Sequence, residues 1–292
     1  MVDIWLPIIG LSTYVTIKFC NFALKYKQMN ISGDNFSRFA PISLDEMSGI
    51  KLMNRIDTKF VTTVPLLLRL LKLAQDDYRM QEIDGLRNMT YGTVYFDTPA
   101  LDMFIAHHNG HSGRQKVRIR TYVDSHMDFL EVKTKNNHGR TRKKRISVTD
   151  DNLREPAKVA FLNQHLRYDP DALTPRLQNR FNRITLVNRR CTERLTIDTN
   201  LQFHNLFTGR DYSLPTLAIV ELKRDGLQPS PVLEMLRQLR IMPTGFSKYC
   251  IGSLLTDPTL KRNRFKERLH TLERLTGSSF HLYSQPQQQH TL

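Results

Sequence analysis

The chain is short of the features that mark a secreted, metal-stapled or membrane-spanning protein. Its three cysteines, Cys20, Cys191 and Cys250, are odd in number, widely spaced and without a Cys-x-x-Cys pair. That excludes a disulfide framework or a zinc site as the organising device and leaves reduced, cytoplasmic thiols as the expectation. Long clean apolar runs are missing too: the apolar stretch within residues 1–28 is broken by Pro7, Gly10, Lys18 and Asn21, which is short of a membrane helix. Asp3 is its only early charge and no small-residue cleavage site follows, so a secretory signal is not indicated. No internal repeat is visible. Acidic residues are scarce, 28 against 43 Lys plus Arg for a net charge of +15 over 292 residues. Such an excess points to an anionic partner: nucleic acid, a membrane surface or a phosphorylated small molecule. Interleaved aromatics are few, and Tyr95, Tyr122 and Phe129 do not form an evident stacking platform, so a nucleic-acid partner is not expected.

What is present is charge set on alternate residues. Lys116-Val117-Arg118-Ile119-Arg120-Thr121-Tyr122 and Phe129-Leu130-Glu131-Val132-Lys133-Thr134-Lys135 both repeat with period two. As strands they carry charge on one face and Val117, Ile119, Leu130 and Val132 on the other. The turn-forming residues 123–128 between them suit a reversal into an antiparallel hairpin. One solvated sheet face would be the ordinary explanation. The pattern recurs, however, in Arg55-Ile56-Asp57-Thr58-Lys59-Phe60, Arg194-Leu195-Thr196-Ile197-Asp198 and Ile219-Val220-Glu221-Leu222-Lys223. Cations gathered on one face repel unless an anion, or a metal-bound anion, sits among them.

The remaining elements follow from turn and cap signals. Ser43 and Glu46 bracket a short capped helix, and Pro65 opens one with Leu67, Leu70, Leu71 and Ala74 on one side. Tyr91–Phe96 reads as a strand and residues 100–107 as a helix. Further helices are expected over 155–166, 231–239, 246–255 and 261–275, with strands over 181–187 and 194–201. The basic run Arg140–Arg145 leads into Ile146-Ser147-Val148 and fits a third strand beside the hairpin. His107, His108 and His111 have no carboxylate or cysteine at metal-ligand spacing. The apolar faces need helices to cover them and the cationic face needs enclosure. An α+β fold satisfies both: an antiparallel closed β-barrel, polar face inward and helices packed outside.

The ordered series Arg55-x-Asp57-x-Lys59-Phe60, Tyr95-Phe96-Asp97-Thr98, Lys116-x-Arg118-x-Arg120, Glu131-x-Lys133, the Arg183 strand, Arg194 to Asp198, Glu221-x-Lys223 and Phe246-Ser247-Lys248-Tyr249 resembles the VTC domain. This is the polyphosphate polymerase domain of the vacuolar transporter chaperone family, within the triphosphate tunnel metalloenzymes. The resemblance implies a stand-alone tunnel domain over residues 37–275, preceded by an apolar extension or mis-assigned start (1–36) and followed by a disordered tail (276–292). It implies ATP and inorganic polyphosphate as substrates and Mn²⁺ or Mg²⁺ as cofactor. Lys59, Arg118, Arg120, Lys133, Arg183, Arg194 and Lys248 would grip phosphates, with Lys116, Lys135, Arg142, Lys223 and Arg55 in support. Glu221 would lead the metal ligands, followed by Glu131 and Asp198.

Two other functions share these motifs. A triphosphate hydrolase of the same superfamily usually opens with Glu-x-Glu-x-Lys, whereas Arg55 here replaces the first carboxylate. A non-catalytic module binding polyphosphate or inositol phosphate would not need Glu221. Residues 1–28 are expected to be an overextended start or a membrane-surface anchor, the latter docking the domain on the inner face of a membrane or on a membrane protein.

Overall fold

The alternating segments are strands with the expected faces, and their apolar parity sets the architecture. The structure, a computed structural model, describes residue 31 and residues 35–50, 55–136 and 141–280. The expectations for residues 1–28 and for most of the Gln-rich tail lie outside the described residues. The strands are β1 (Ala40–Ile42), β2 (Arg55–Thr63), β3 (Tyr78–Gln81), β4 (Met89–Asp97), β5 (Gln115–Tyr122), β6 (Met127–Lys135), β7 (Thr141–Val148), β8 (Thr174–Asn188), β9 (Glu193–Asn205), β10 (Asp211–Leu214) and β11 (Leu217–Asp225). The helices are α1 (Leu44–Ser48), α2 (Val64–Ala74), α3 (Asp102–His108), α4 (Pro156–His165), α5 (Pro231–Gln238), α6 (Lys248–Thr256) and α7 (Lys266–Thr276). The Ser43/Glu46 capping box at α1 is formed.

One sheet carries the fold, in the order β2-β11-β9-β8-β4-β5-β6-β7 with every pair on that path antiparallel. The closed barrel is not formed: β2 and β7 end the path without pairing to each other. Closure would press the exposed cations Arg142, Lys143, Lys144 and Arg145 of β7 toward Arg55 and Lys59 of β2, like charge against like. The sheet curls all the same. Lys59 lies near enough to Lys116 and Lys135 on β5 and β6 to help depress their pKa values.

Three apolar clusters hold this shape. On the outer parity, Phe60, Ile184, Leu195, Ile197, Val220 and Leu222 pack under α2 and α5 through Leu67, Leu70, Leu71, Val232 and Leu236. Val117, Ile119, Leu130 and Val132 pack under Phe161 and Leu162 of α4. On the inner parity, at one end of the strands, Leu177, Leu201, Phe203 and Ile219 receive Ile251 and Leu254 of α6, with Leu269 and Leu272 of α7 behind. Each buried side chain of this size contributes roughly 1.5–3 kcal/mol, so α6 is fixed firmly enough to serve as a platform. Gly252 makes the approach close: a Cβ there would lie 2.4 Å from Phe203 Cδ1 and 2.8 Å from Leu177 Cδ2.

The structure adds β1, β3 and β10, which the sequence pattern does not announce, and begins β8 at Thr174 rather than near Phe181. Polar residues and Pro175 hide the early part of β8, and its register shifts between Arg180 and Asn182. No helix among the described residues is long and apolar enough to cross a membrane.

Candidate functional site

Pleat parity collects the charges on the concave face. On β5, β6 and β7, Lys116 stands opposite Lys133 and Lys133 opposite Lys143, while Arg118 faces Glu131 and Glu131 faces Arg145. On the other half, Lys59 stands opposite Glu221 and Glu221 opposite Thr196, while Asp57 faces Lys223 and Lys223 faces Arg194. Arg183 and Asp198 are partners across β8 and β9.

Each carboxylate on this face is held by cations. Glu131, with no exposed surface, accepts from Arg118 Nε and Nη2 at 2.7 and 2.5 Å and from Lys143 Nζ at 3.1 Å. Burial alone would raise its pKa; Arg118, Arg120, Lys133 and Lys143 outweigh it and keep the group ionised below the usual carboxylate range. Asp198 accepts from Arg183 Nε and Nη2 at 2.6 and 2.8 Å and from Lys248 Nζ, and the same contest between burial and these cations leaves its pKa lowered. Glu221 pairs with Lys223 Nζ at 3.0 Å and Lys59 Nζ at 3.5 Å. Its side chain keeps 19% of its surface accessible, and its pKa is well below the ordinary value because the two lysines overcome burial.

The cations outnumber these acids, and crowding shows in their titration. Lys133 is pushed well down, first by the Arg118 guanidinium and then by burial. Burial leads the depression of Lys223, and it brings Lys116 and Lys248 each to about 8. An anion in this face would be held by neighbours that otherwise repel.

The inner end of α6 completes the face. Ser247 caps the helix by accepting from Cys250 N and also accepts from Lys116 Nζ at 3.0 Å. Lys248 lies 4.2 Å from the centroid of Phe181, which stacks on Tyr91 at 5.3 Å. Arg183 and Arg120 lie over the same two rings at 5.1–5.9 Å. Tyr249 ties α6 to β4 by donating to Asp97 at 2.6 Å. Asp97, fully buried, also accepts from the amides of Thr98, Met103 and Phe104, which seats α3.

Lys59, Arg118, Lys116, Lys133, Arg183, Lys223, Lys248 and Glu221 thus share one face, with Arg120 and Lys135 on the same parity. Three candidates are not free for the site: one lies on the other surface, and Arg55 and Arg194 share the inner parity but are engaged by other partners. Arg142 is opposite Thr134, on the parity of Val132, and so on the other surface of β7. Arg55 is spent on Asp57 at the sheet edge, 2.7 Å apart. Arg194 donates to the Met47 carbonyl at 3.2 Å. Sequence reasoning passed over Lys143 and Arg145; counting parity back from Val148 would have found them. The Phe181–Tyr91 stack and the Asp97 anchor left no such signal, because both depend on strands far apart in the chain.

A Mn²⁺ or Mg²⁺ ion cannot be caged here by protein alone. Among the described residues no group of three or more His, Cys, Asp or Glu side chains suited to a metal forms, and arginine already saturates Glu131 and Asp198. Glu221, partly accessible and held by Lys59, Lys223 and the Thr196 hydroxyl but by no arginine, fits the mode in which such an ion takes one carboxylate and fills its shell with phosphate oxygens and water. His107 of the histidine cluster accepts from Arg114 Nε at 3.1 Å and is held neutral, its pKa pushed to about 2 mainly by burial.

Comparison with known proteins returns the family described as VTC domain, matched over residues 54–256. None of the curated proteins matches the chain. Among solved structures it is similar to a putative adenylate cyclase from Vibrio parahaemolyticus, with 10% identity and a TM-score of 0.41 over 69% of this chain and 99% of that one. It is also similar to a putative adenylyl cyclase from Hippeastrum with a dominant triphosphatase activity, with 14% identity and a TM-score of 0.45 over 68% and 95%. A protein from Pyrococcus horikoshii OT3 is similar at 11% identity and a TM-score of 0.38, over 68% and 97%.

Proposed function

This chain belongs to the VTC domain family, and we propose that it is a polyphosphate polymerase transferring the γ-phosphate of ATP to a growing inorganic polyphosphate chain. The observation that carries the proposal is the partly accessible carboxylate Glu221, set between Lys59 and Lys223 on a face where cations outnumber acids. Phosphoryl transfer asks for positioning and for neutralisation of charge spread over the transferred group. In the step, a terminal phosphate oxygen of the polymer forms a new P–O bond to the γ-phosphorus while the β,γ-anhydride bond breaks and ADP leaves; no protein nucleophile is needed.

Arg118 and Arg183 are held by Glu131 and Asp198 and present fixed forks. Lys59, Lys116, Lys133, Lys223 and Lys248 are mobile point charges that let a chain advance while it stays bound. A divalent ion on Glu221 would supply further neutralisation of phosphate oxygens. The Arg55–Asp57 pair supports the polymerase over the triphosphate hydrolase, because a cation stands where the hydrolase motif has its first carboxylate and the remaining carboxylate is paired with it.

The test is incubation of the protein with ATP and Mn²⁺, beside Glu221→Ala, with products followed on a gel. A polyphosphate ladder that vanishes in Glu221→Ala is expected. Free phosphate without polymer would establish the hydrolase instead. Neither product, with polyphosphate binding kept, would leave a binding module.

A further inference from the structure

The basic run singled out in the sequence is only half absorbed by the concave face. Of the four consecutive cations on β7, Lys143 and Arg145 belong to the inner parity and Arg142 and Lys144 to the outer, and all four are exposed. Lys143 pairs with Glu131 and Arg145 lies 4.4 Å from the centroid of Phe129. The cross-strand neighbours of Arg142 and Lys144 are Thr134 and Val132, which bring no counter-charge. Beyond β7 the sheet has no further strand among the described residues.

These residues continue a line that starts inside. Lys116, Lys133 and Lys143 stand opposite one another on β5, β6 and β7, so the row runs across the strands, one lysine every ~4.8 Å, and ends at the open edge. Lys59 of β2 lies near enough to Lys116, at the inner end of the row, to help lower its pKa. A closed tunnel would force a linear polyanion out along the strand axis, and α6 packs across one end of that axis.

We propose that a linear inorganic polyanion longer than the concave face leaves it sideways, through the seam between β2 and β7, and crosses the β7 edge against Arg142 and Lys144. This rests on the polyphosphate reading of the inner face and adds a second, outer stretch of contact to it. Edge strands also carry cations simply to prevent pairing with other chains. The two roles differ in sign dependence, since protection of an edge works with charge of either sign whereas contact with a polyanion requires positive charge.

The experiment is binding of long-chain polyphosphate and of tripolyphosphate to the full chain, to R142E/K144E and to the milder R142Q/K144Q. Circular dichroism and light scattering check that the variants fold and stay monodisperse. Tripolyphosphate affinity should be unchanged in both variants. Long-chain affinity should fall at least about tenfold in R142E/K144E, and the slope of log affinity against log salt should drop by about 1–2. Unchanged long-chain binding would assign the cations to edge protection and overturn the inference. An equal loss for tripolyphosphate would overturn it by placing the residues in the inner site, and so would single-stranded RNA binding that falls while polyphosphate binding does not. Wild-type protein that binds neither phosphate ligand would defeat the polyphosphate reading, and this inference with it.

Discussion

Arg183 clasps Asp198 with both arms of its guanidinium, Nε to Oδ1 at 2.6 Å and Nη2 to Oδ2 at 2.8 Å, beneath the inner end of α6. Asp198 therefore neutralises two cations at once, Arg183 and Lys248. Asp198→Asn would leave both buried without their ion-pair partner, and breaking a buried pair costs about 3–5 kcal/mol. Denaturant unfolding should show a loss of that order. Added tripolyphosphate should restore more stability to the variant than it adds to the wild type, because a bound anion takes over the missing charge.

Lys116 and Lys248 titrate near pH 8, each brought to about 8 chiefly by burial. Both are charged below that pH and neutral above it, so anion affinity falls as pH rises from 7 to 9. The ligand does not offset this, since a terminal phosphate with a second pKa of about 6 is already largely ionised across that range. Tripolyphosphate titrations at pH 7, 8 and 9 check the trend. Lys248→Arg keeps its charge throughout and should remove part of the decline.

The Tyr249 hydroxyl holds α6 to β4 through Asp97. Tyr249→Phe leaves a buried carboxylate short of one donor, at a cost of about 1–3 kcal/mol. Lys248 is the neighbouring residue, so tripolyphosphate affinity should fall together with stability. Affinity that stays intact while stability drops would separate the anchor from the site.

Gly252→Ala should destabilise by about 1–3 kcal/mol through overpacking, because its Cβ would intrude on Phe203 and Leu177. Thermal melting reads the loss. A second substitution, Phe203→Leu, should recover part of it by yielding space at the contact.

Much of this was legible in the chain because a strand has only two faces. From Lys116 to Lys135 the alternation fixes which residues are charged neighbours, and the structure pairs Arg118 with Glu131 and Lys116 with Lys133 accordingly. The same rule misled at β7, where four cations in a row carry no alternation to read: Arg142 turned outward and Lys143 inward. Counting back from Val148 recovers the parity, and the pairing of Lys143 with Lys133 shows it.

The sequence by itself determined the strands that alternate charge with apolar residues, the helices that cover their apolar parity, and the sign of the charge they collect, since period and composition are local properties. Tertiary structure alone decided the rest. That the sheet stays open depends on whether β2 and β7 meet, and like charges on both edges oppose it. That Lys248 reaches Asp198, 50 residues away in the chain, depends on Gly252 letting α6 settle on β8 and β9. That Glu221 keeps accessible surface while Glu131 has none depends on which cations the curl of the sheet brings to each.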